Sequence, residues 1–169
     1  MSISKKRHLF LVAAGIVLLF PMQGSAQALQ STNYSGAANN CEVTDSSYAP
    51  NFKVRALSSD NTGSGNIYVT CALQSDPISA GINFFRITLH NTSSASITVN
   101  CTGVAGTTFT PALYSSKSTT VLPGLESSIQ WTTSDNGGEL LPHPASVTCL
   151  LPPDTGVTTD AVSYIISLL

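Results

Sequence analysis

The sequence predicts an all-β fold: a single antiparallel β-sandwich domain of about eight or nine strands, stapled by two disulfides. Three observations carry this reading. Apolar and polar residues alternate at period two in one short run after another, and no segment beyond residue 28 keeps the 3.6-residue period of an amphipathic helix. Gly, Pro, Asn and Asp separate the runs, as turns require. Four cysteines, an even number, all lie beyond an N-terminal export signal, where an oxidising compartment pairs them.

Taken in order, the chain opens with Lys5, Lys6 and Arg7, then twelve apolar or small residues from Leu9 to Phe20. Pro21 breaks that run, and small residues follow in Gly24-Ser25-Ala26-Gln27-Ala28. Basic, apolar, then small is the order of a secretory signal peptide, and the run is shorter than the about 20 residues that span a bilayer. Residues 1–28 are therefore expected to be removed, by cleavage after Ala28 or after Ala26, leaving 29–169 as one secreted or periplasmic domain with no later membrane span.

The strands follow. Phe52, Val54 and Ala56 alternate with Lys53 and Arg55; Ile67, Val69 and Cys71 with Tyr68 and Thr70. Phe85, Ile87 and Leu89 alternate with Arg86, Thr88 and His90; Ile97, Val99 and Cys101 with Thr98 and Asn100. Ile129 and Trp131 mark a strand near 126–132, Val147 and Cys149 one at 145–151, and Val162, Tyr164, Ile166 and Leu168 the last. Asp60 to Gly65, Asn91 to Ser94, Leu122-Pro-Gly124 and Asp135 to Gly138 are the intervening turns. One polar and one apolar face per strand predicts antiparallel sheets. Cys71, Cys101 and Cys149 share parity with their apolar neighbours, so they are expected to face the core as inter-strand or inter-sheet staples. NTGSGNIYVTC (61–71) and NTSSASITVNC (91–101) agree at six of eleven positions, an echo that either marks a duplicated hairpin or reflects the small alphabet of hairpin strands.

Composition narrows the function. Signal removal leaves four basic residues, Lys53, Arg55, Arg86 and Lys117, against nine acidic ones, a net charge of −5. Such a chain cannot neutralise a run of phosphates, which excludes nucleic acid as a partner and disfavours a polybasic membrane contact. The cysteine spacings of 30, 30 and 48 lack the close pairs of a zinc site.

The chain resembles a loose group of short uncharacterised secreted bacterial four-cysteine proteins. The residues that carry the likeness are the early Cys41, the units Asn66-Ile-Tyr-Val-Thr-Cys71 and Ser96-Ile-Thr-Val-Asn-Cys101, and the Cys149-Leu-Leu-Pro-Pro153 stretch before a final strand with Ser163-Tyr164. The group often has proline after the second cysteine, where this chain has Ala72. The resemblance implies pairing of Cys41 with Cys71 and Cys101 with Cys149; the residues themselves leave the two other connectivities open. It implies no catalytic residue.

Candidate sites are few. Asp154-Thr155-Gly156 matches the catalytic tripeptide of aspartic proteases, but such an enzyme needs two carboxylates sharing a proton, and Pro152-Pro153 before Asp154 reads as a turn. His90 and His143 are the only bases for a serine nucleophile in 29–169, His90 on a polar strand face and His143 in a Leu-Pro-His-Pro loop. Gly63-Ser-Gly65 lacks the following helix of a nucleophile elbow. Glu126, Asp135 and Glu139 flank turns, and Asp60-Asn-Thr-Gly and Asp135 to Glu139 offer oxygen ligands without the twelve-residue calcium-loop pattern. Asn33, Asn91 and Asn100 begin N-x-Ser/Thr triplets. Tyr68, Tyr114 and Trp131 are candidates for an aromatic sugar platform, with Trp131 expected in the core instead. The reading is a non-enzymatic exported module, with no catalytic, cofactor or metal residues, that acts as a binding or structural protein of the envelope or extracellular space, its partner an unknown protein or glycan at the cell envelope. A subunit of a surface fibre is the alternative and an unrecognised hydrolase the second. A hydrolase predicts a concave cluster of Asp154 or His143 with a serine.

Overall fold

The computed structural model describes residues 28–76, 79–109 and 111–167. The signal segment up to residue 27, the cleavage position at Ala26 and the closing Leu168 lie outside them, and Ala28 opens the first strand. Among the described residues eleven strands form a two-sheet antiparallel sandwich: β1 (Ala28–Gly36), β2 (Cys41–Val43), β3 (Phe52–Val54), β4 (Ser59–Asn61), β5 (Ile67–Leu73), β6 (Gly81–Asn91), β7 (Ile97–Ala105), β8 (Leu113–Val121), β9 (Glu126–Thr132), β10 (Ala145–Leu151) and β11 (Thr155–Ser167). A single helical turn, α1 (Ala37–Asn40), joins β1 to β2. One sheet runs β3-β4-β11-β6-β9, with β1 beside β11; the other runs β2-β5-β10-β7-β8.

The strands with one apolar face fall where alternation places them. Burial alternates strictly along β5 and β10, with Ile67, Val69, Cys71 and Leu73 inward on one and Ala145, Val147, Cys149 and Leu151 on the other. Opposite them, Phe85, Ile87 and Leu89 of β6 and Ile129 and Trp131 of β9 complete the core. The rings of Phe85 and Trp131 stack at 5.1 Å over Gly103, where a Cβ would come within 2.6 Å of the indole. Trp131 is fully buried, and its Nε1 donates to Ser115 O at 2.8 Å.

The strand count exceeds the eight or nine expected. β2 and β4 have three residues each, too few to show a period, and β1 and β8 are polar on both faces. One expected face is corrected: β3 ends at Val54, which is half exposed, and Ala56 and Leu57 lie on the surface beyond it. The strand is a short sheet edge, so its alternation has no core to meet.

Both disulfides are cross-strand staples within the five-stranded sheet. Cys41 stands opposite Cys71 on β2 and β5, and Cys101 opposite Cys149 on β7 and β10, each pair with Cα atoms 4.0 Å apart. Their sulfurs join the buried cluster, as the parity of Cys71, Cys101 and Cys149 requires.

The echo between 61–71 and 91–101 is a structural repeat. Asn61 and Asn91 are each 1 % exposed. Asn61 Nδ2 donates to the carbonyls of Gly65 and Leu151 at 2.8 and 2.9 Å, and its Oδ1 accepts from the Gly63 N–H at 3.0 Å. Asn91 Nδ2 donates to Ala95 O and Val121 O at 2.7 and 3.0 Å, and its Oδ1 accepts from the Ser93 N–H at 2.9 Å. The main-chain oxygens of the two asparagines accept from the N–H groups of Asp154 and Gly124. Those two residues hold the same left-handed place, φ 59° and 69°, after a proline in turns of type II pattern. Each asparagine thus ties an arch between the sheets to its own loop and to a neighbouring strand. Asn91→Ala is expected to cost about 2 kcal/mol, since it strands buried carbonyls, and Asn61→Ala about the same. Urea unfolding measures both; a loss under about 0.5 kcal/mol at either position would contradict the clamp.

Candidate binding face

The outward positions of the five-stranded sheet form a broad polar face. Residues standing opposite one another across the strands make rows. The central row is Thr70, Thr148, Thr102 and Ser116, one residue from each of β5, β10, β7 and β8. Its hydroxyls bond in pairs, Thr70 with Thr148 and Thr102 with Ser116, both at 2.8 Å. The row on one side is Tyr68, Leu150, Asn100 and Ser118; the row on the other is Ala72, Ser146, Val104 and Tyr114. Tyr68 and Tyr114 therefore stand at diagonal corners, 46 % and 72 % exposed. Three strand spacings and four residues of rise put roughly 20 Å between them. A shallow groove of about 570 Å³ lies over this floor.

Lys117 is the one charged residue among those that line the groove. Lys117 has the inward parity of β8; its ammonium donates to Gln130 O and to Asp135, each at 2.8 Å, and sits 6.0 Å from the Trp131 ring centre. Burial pushes the Asp135 carboxyl upward, but the hydrogen bonds from Lys117 and the Thr132 N–H, with the lysine charge, outweigh it and hold the pKa below the usual value. Glu42 on β2 stands at the end of the central row opposite Thr70, outside the groove lining. What remains inside is hydroxyl, amide, phenol and aliphatic surface. Such a surface hydrogen-bonds and stacks with a neutral polyhydroxylated ligand and offers nothing to ionic chemistry.

The other candidates have different places. Asp154 is exposed in its turn, and the Thr155 hydroxyl donates to Pro152 O at 2.6 Å. Gly156 is glycine because a Cβ there would lie 2.5 Å from Asp60 Oδ1. Asp60 crosses over it from β4: Oδ2 accepts from Arg55 Nε, and the buried Oδ1 faces His90 Nε2 at 3.2 Å without an aligned hydrogen bond. Asp154 and Asp60 line one hollow of about 320 Å³, and Asp60 is paired with Arg55. The tripeptide forms a turn whose glycine packs against Asp60. Among the described residues no three His, Cys, Asp or Glu side chains converge on a metal position.

His143 does meet serines. Its Nδ1 is 3.0 Å from Ser75 Oγ and its Nε2 2.6 Å from Ser79 Oγ, beside a hollow of about 620 Å³ that Asp76 also lines. Burial lowers the His143 pKa, against the pull of Asp76 and Ser79, so the ring is neutral at neutral pH. With a hydroxyl on each nitrogen, the imidazole bridges Ser75 and Ser79 to the loop at 141–144. Of the three N-x-Ser/Thr asparagines, Asn91 is committed as a buried clamp, Asn33 is exposed on β1, and Asn100 lies in the groove.

Of the three aromatics considered from sequence, the groove brings together Tyr68 and Tyr114 and the core takes Trp131. Sequence reasoning missed the polar floor. Its signal was present in the outward parity of Asn100, Thr102, Ser116 and Thr148, but the rows depend on which strands become neighbours.

No protein-family model matches the chain, and no curated protein matches it in sequence. Among solved structures it is similar to an exo-β-1,3-galactanase from Phanerochaete chrysosporium, at 13 % identity and TM-score 0.43 over 78 % of this chain and 29 % of that one. It is similar to the carbohydrate-binding module TmCBM61, determined with β-1,4-galactotriose, at 8 % identity and TM-score 0.37 over 81 % and 88 %. It is also similar to a protein of the disulfide-linked pili that form Bacillus endospore appendages, at 14 % identity and TM-score 0.38 over 85 % and 93 %. The chain spans less than a third of the galactanase's length. At these scores the likenesses carry no inference about a ligand.

Proposed function

We propose that this chain is an exported, non-enzymatic binding module that holds a neutral glycan on the outer face of its five-stranded sheet. The observation that carries the reading is the groove itself: two exposed tyrosines at opposite corners of a hydroxyl and amide floor whose one charged lining residue, Lys117, is paired with Asp135. A tyrosine ring offers a flat apolar face to a sugar ring at small entropic cost, and the floor supplies donors and acceptors for its hydroxyls. Two disulfides suit a compartment outside the cytoplasm, and no described helix is long and apolar enough to cross a membrane.

An immobilised glycan array probed with the purified exported protein tests this. The expected result is saturable retention on neutral glycans, with Tyr68→Ala and Tyr114→Ala each weakening the best ligand about tenfold, or about 1.4 kcal/mol. His143→Ala, at a residue that does not line the groove, is expected to leave retention unchanged. Failure to bind any glycan, or equal binding by both tyrosine variants, would sink the proposal.

A further inference from the structure

Among the described residues, the outer strands of the sandwich are closed or short at all edges but one. β8 and β9, the outer strands at one side of the two sheets, close on each other. Lys117 Nζ donates to Gln130 O at 2.8 Å, Trp131 Nε1 to Ser115 O at 2.8 Å, and Thr119 and Ser127 share a hydrogen bond of 2.7 Å. β8 also carries Lys117 pointing inward, a charge that discourages a further strand. At the opposite side, β2 and β3 are three residues each, too short to template pairing. β1 is different. Its nine residues pair in unbroken register with β11, and among the described residues no strand pairs with its other side. Its sequence, ALQSTNYSG, holds no charge and no proline, the usual devices that blunt an edge. None of its side chains is fully buried, and Leu29 and Tyr34 are 55 % and 68 % exposed.

We propose that β1 is a homotypic docking edge: two copies of this chain join by antiparallel pairing of β1 with β1 about a twofold axis. The occupant follows by elimination within the fold. In a second copy, β8 and β9 are closed against each other and β2 and β3 are too short, so β1 is the long edge left to accept β1. Antiparallel pairing of a strand with itself is isologous, so every residue finds its partner on the same strand of the other copy. With the register centred on Thr32, Tyr34 of one copy stands opposite Gln30 of the other, and Ser31 opposite Asn33. No like charges meet anywhere along the nine residues, as homotypic pairing requires. The two six-stranded sheets become one continuous sheet with its twofold axis normal to the plane. Both five-stranded sheets then lie on the same side, and both outer grooves point the same way. A surface that displays repeated ligands would be held by two sites at once, with the gain in avidity that linkage supplies. The pairing stands on the edge alone and does not depend on what the groove binds.

Sedimentation velocity of the exported chain over a range of concentrations tests the proposal. Wild type is expected to show reversible monomer–dimer exchange. Ser31→Lys/Asn33→Lys sets lysines opposite lysines and is expected to lose the dimer while keeping the wild-type melting temperature, since both positions lie on the outer strand. Thr32→Cys is expected to give a covalent dimer on mild oxidation. A wild type that stays monomeric at every concentration, or a dimer that survives the double lysine variant, would overturn it.

Discussion

Cys101→Ala/Cys149→Ala is expected to be the most damaging small change to this fold. The bond joins directly opposed residues on β7 and β10, two central strands of the five-stranded sheet, and closes a loop of 48 residues. Chain-entropy arithmetic for a loop of that size gives about 4 kcal/mol. For a domain of this length that corresponds to a fall in melting temperature of about 15 °C. Cys41→Ala/Cys71→Ala should cost slightly less, because its loop is 30 residues. Its loss should also be more local, since it anchors a three-residue edge strand and the α1–β1 arm that precedes it. The exported yield of Cys149→Ser should fall with its stability. Thermal unfolding of the two double variants measures the difference, and wild-type melting of the Cys101/Cys149 variant would remove that bond as a structural staple.

Asp160→Asn is expected to stabilise the protein at neutral pH by about 3 kcal/mol and to remove a pH dependence. Asp160 is 2 % exposed on β11, between Ile87 of β6 and Ser35 of β1. Burial raises its pKa from 3.8 to about 6, against hydrogen bonds from Asn40 and Ser35 that favour the ionised form. The folded state therefore holds the proton more tightly than the unfolded chain. This contribution is greatest below about pH 4, declines as pH rises towards about 6, and is lost above that. Other groups act in the opposite sense. His143, with its lowered pKa, and Asp135, likewise lowered, both make the fold weaker as pH falls. The difference in unfolding free energy between wild type and Asp160→Asn isolates the buried carboxyl. It should widen with pH between about 4 and about 6 and then level off. A difference that does not vary with pH would show that Asp160 is ionised at no cost in the folded protein.

The fold was legible where a strand has one wet and one dry face. β5, β7, β9 and β10 show their inward residues at every second position, and the cysteines share that parity. β8 was not legible, because its inward positions Ser115, Lys117 and Thr119 face the polar seam with β9 rather than the core. The Asn61 and Asn91 clamps were visible only as an echo. Their meaning lies in carbonyls 90 and 30 residues away, which sequence order does not connect. The candidate site divides in the same way. Tyr68 stands at opposite parity to Ile67 and Val69, so its exposure could be read along one strand. The row from Thr70 to Ser116 needs β10 to insert between β5 and β7, a long-range pairing that no local pattern encodes. Asp60 and His90 likewise meet only because β11 lies between their strands with a glycine at the crossing.

The central claim is that the outer face of the five-stranded sheet holds a glycan. The most direct measurement is a titration of the isotope-labelled exported protein with the best-retained array glycan, followed by backbone amide chemical shifts. The account predicts progressive shifts confined to the groove, at Tyr68, Asn100, Thr102, Tyr114, Ser116 and Thr148. Shifts centred instead on His143 and Ser75, or on the hollow beside Asp154, would contradict it and move the site to one end of the sandwich or the other.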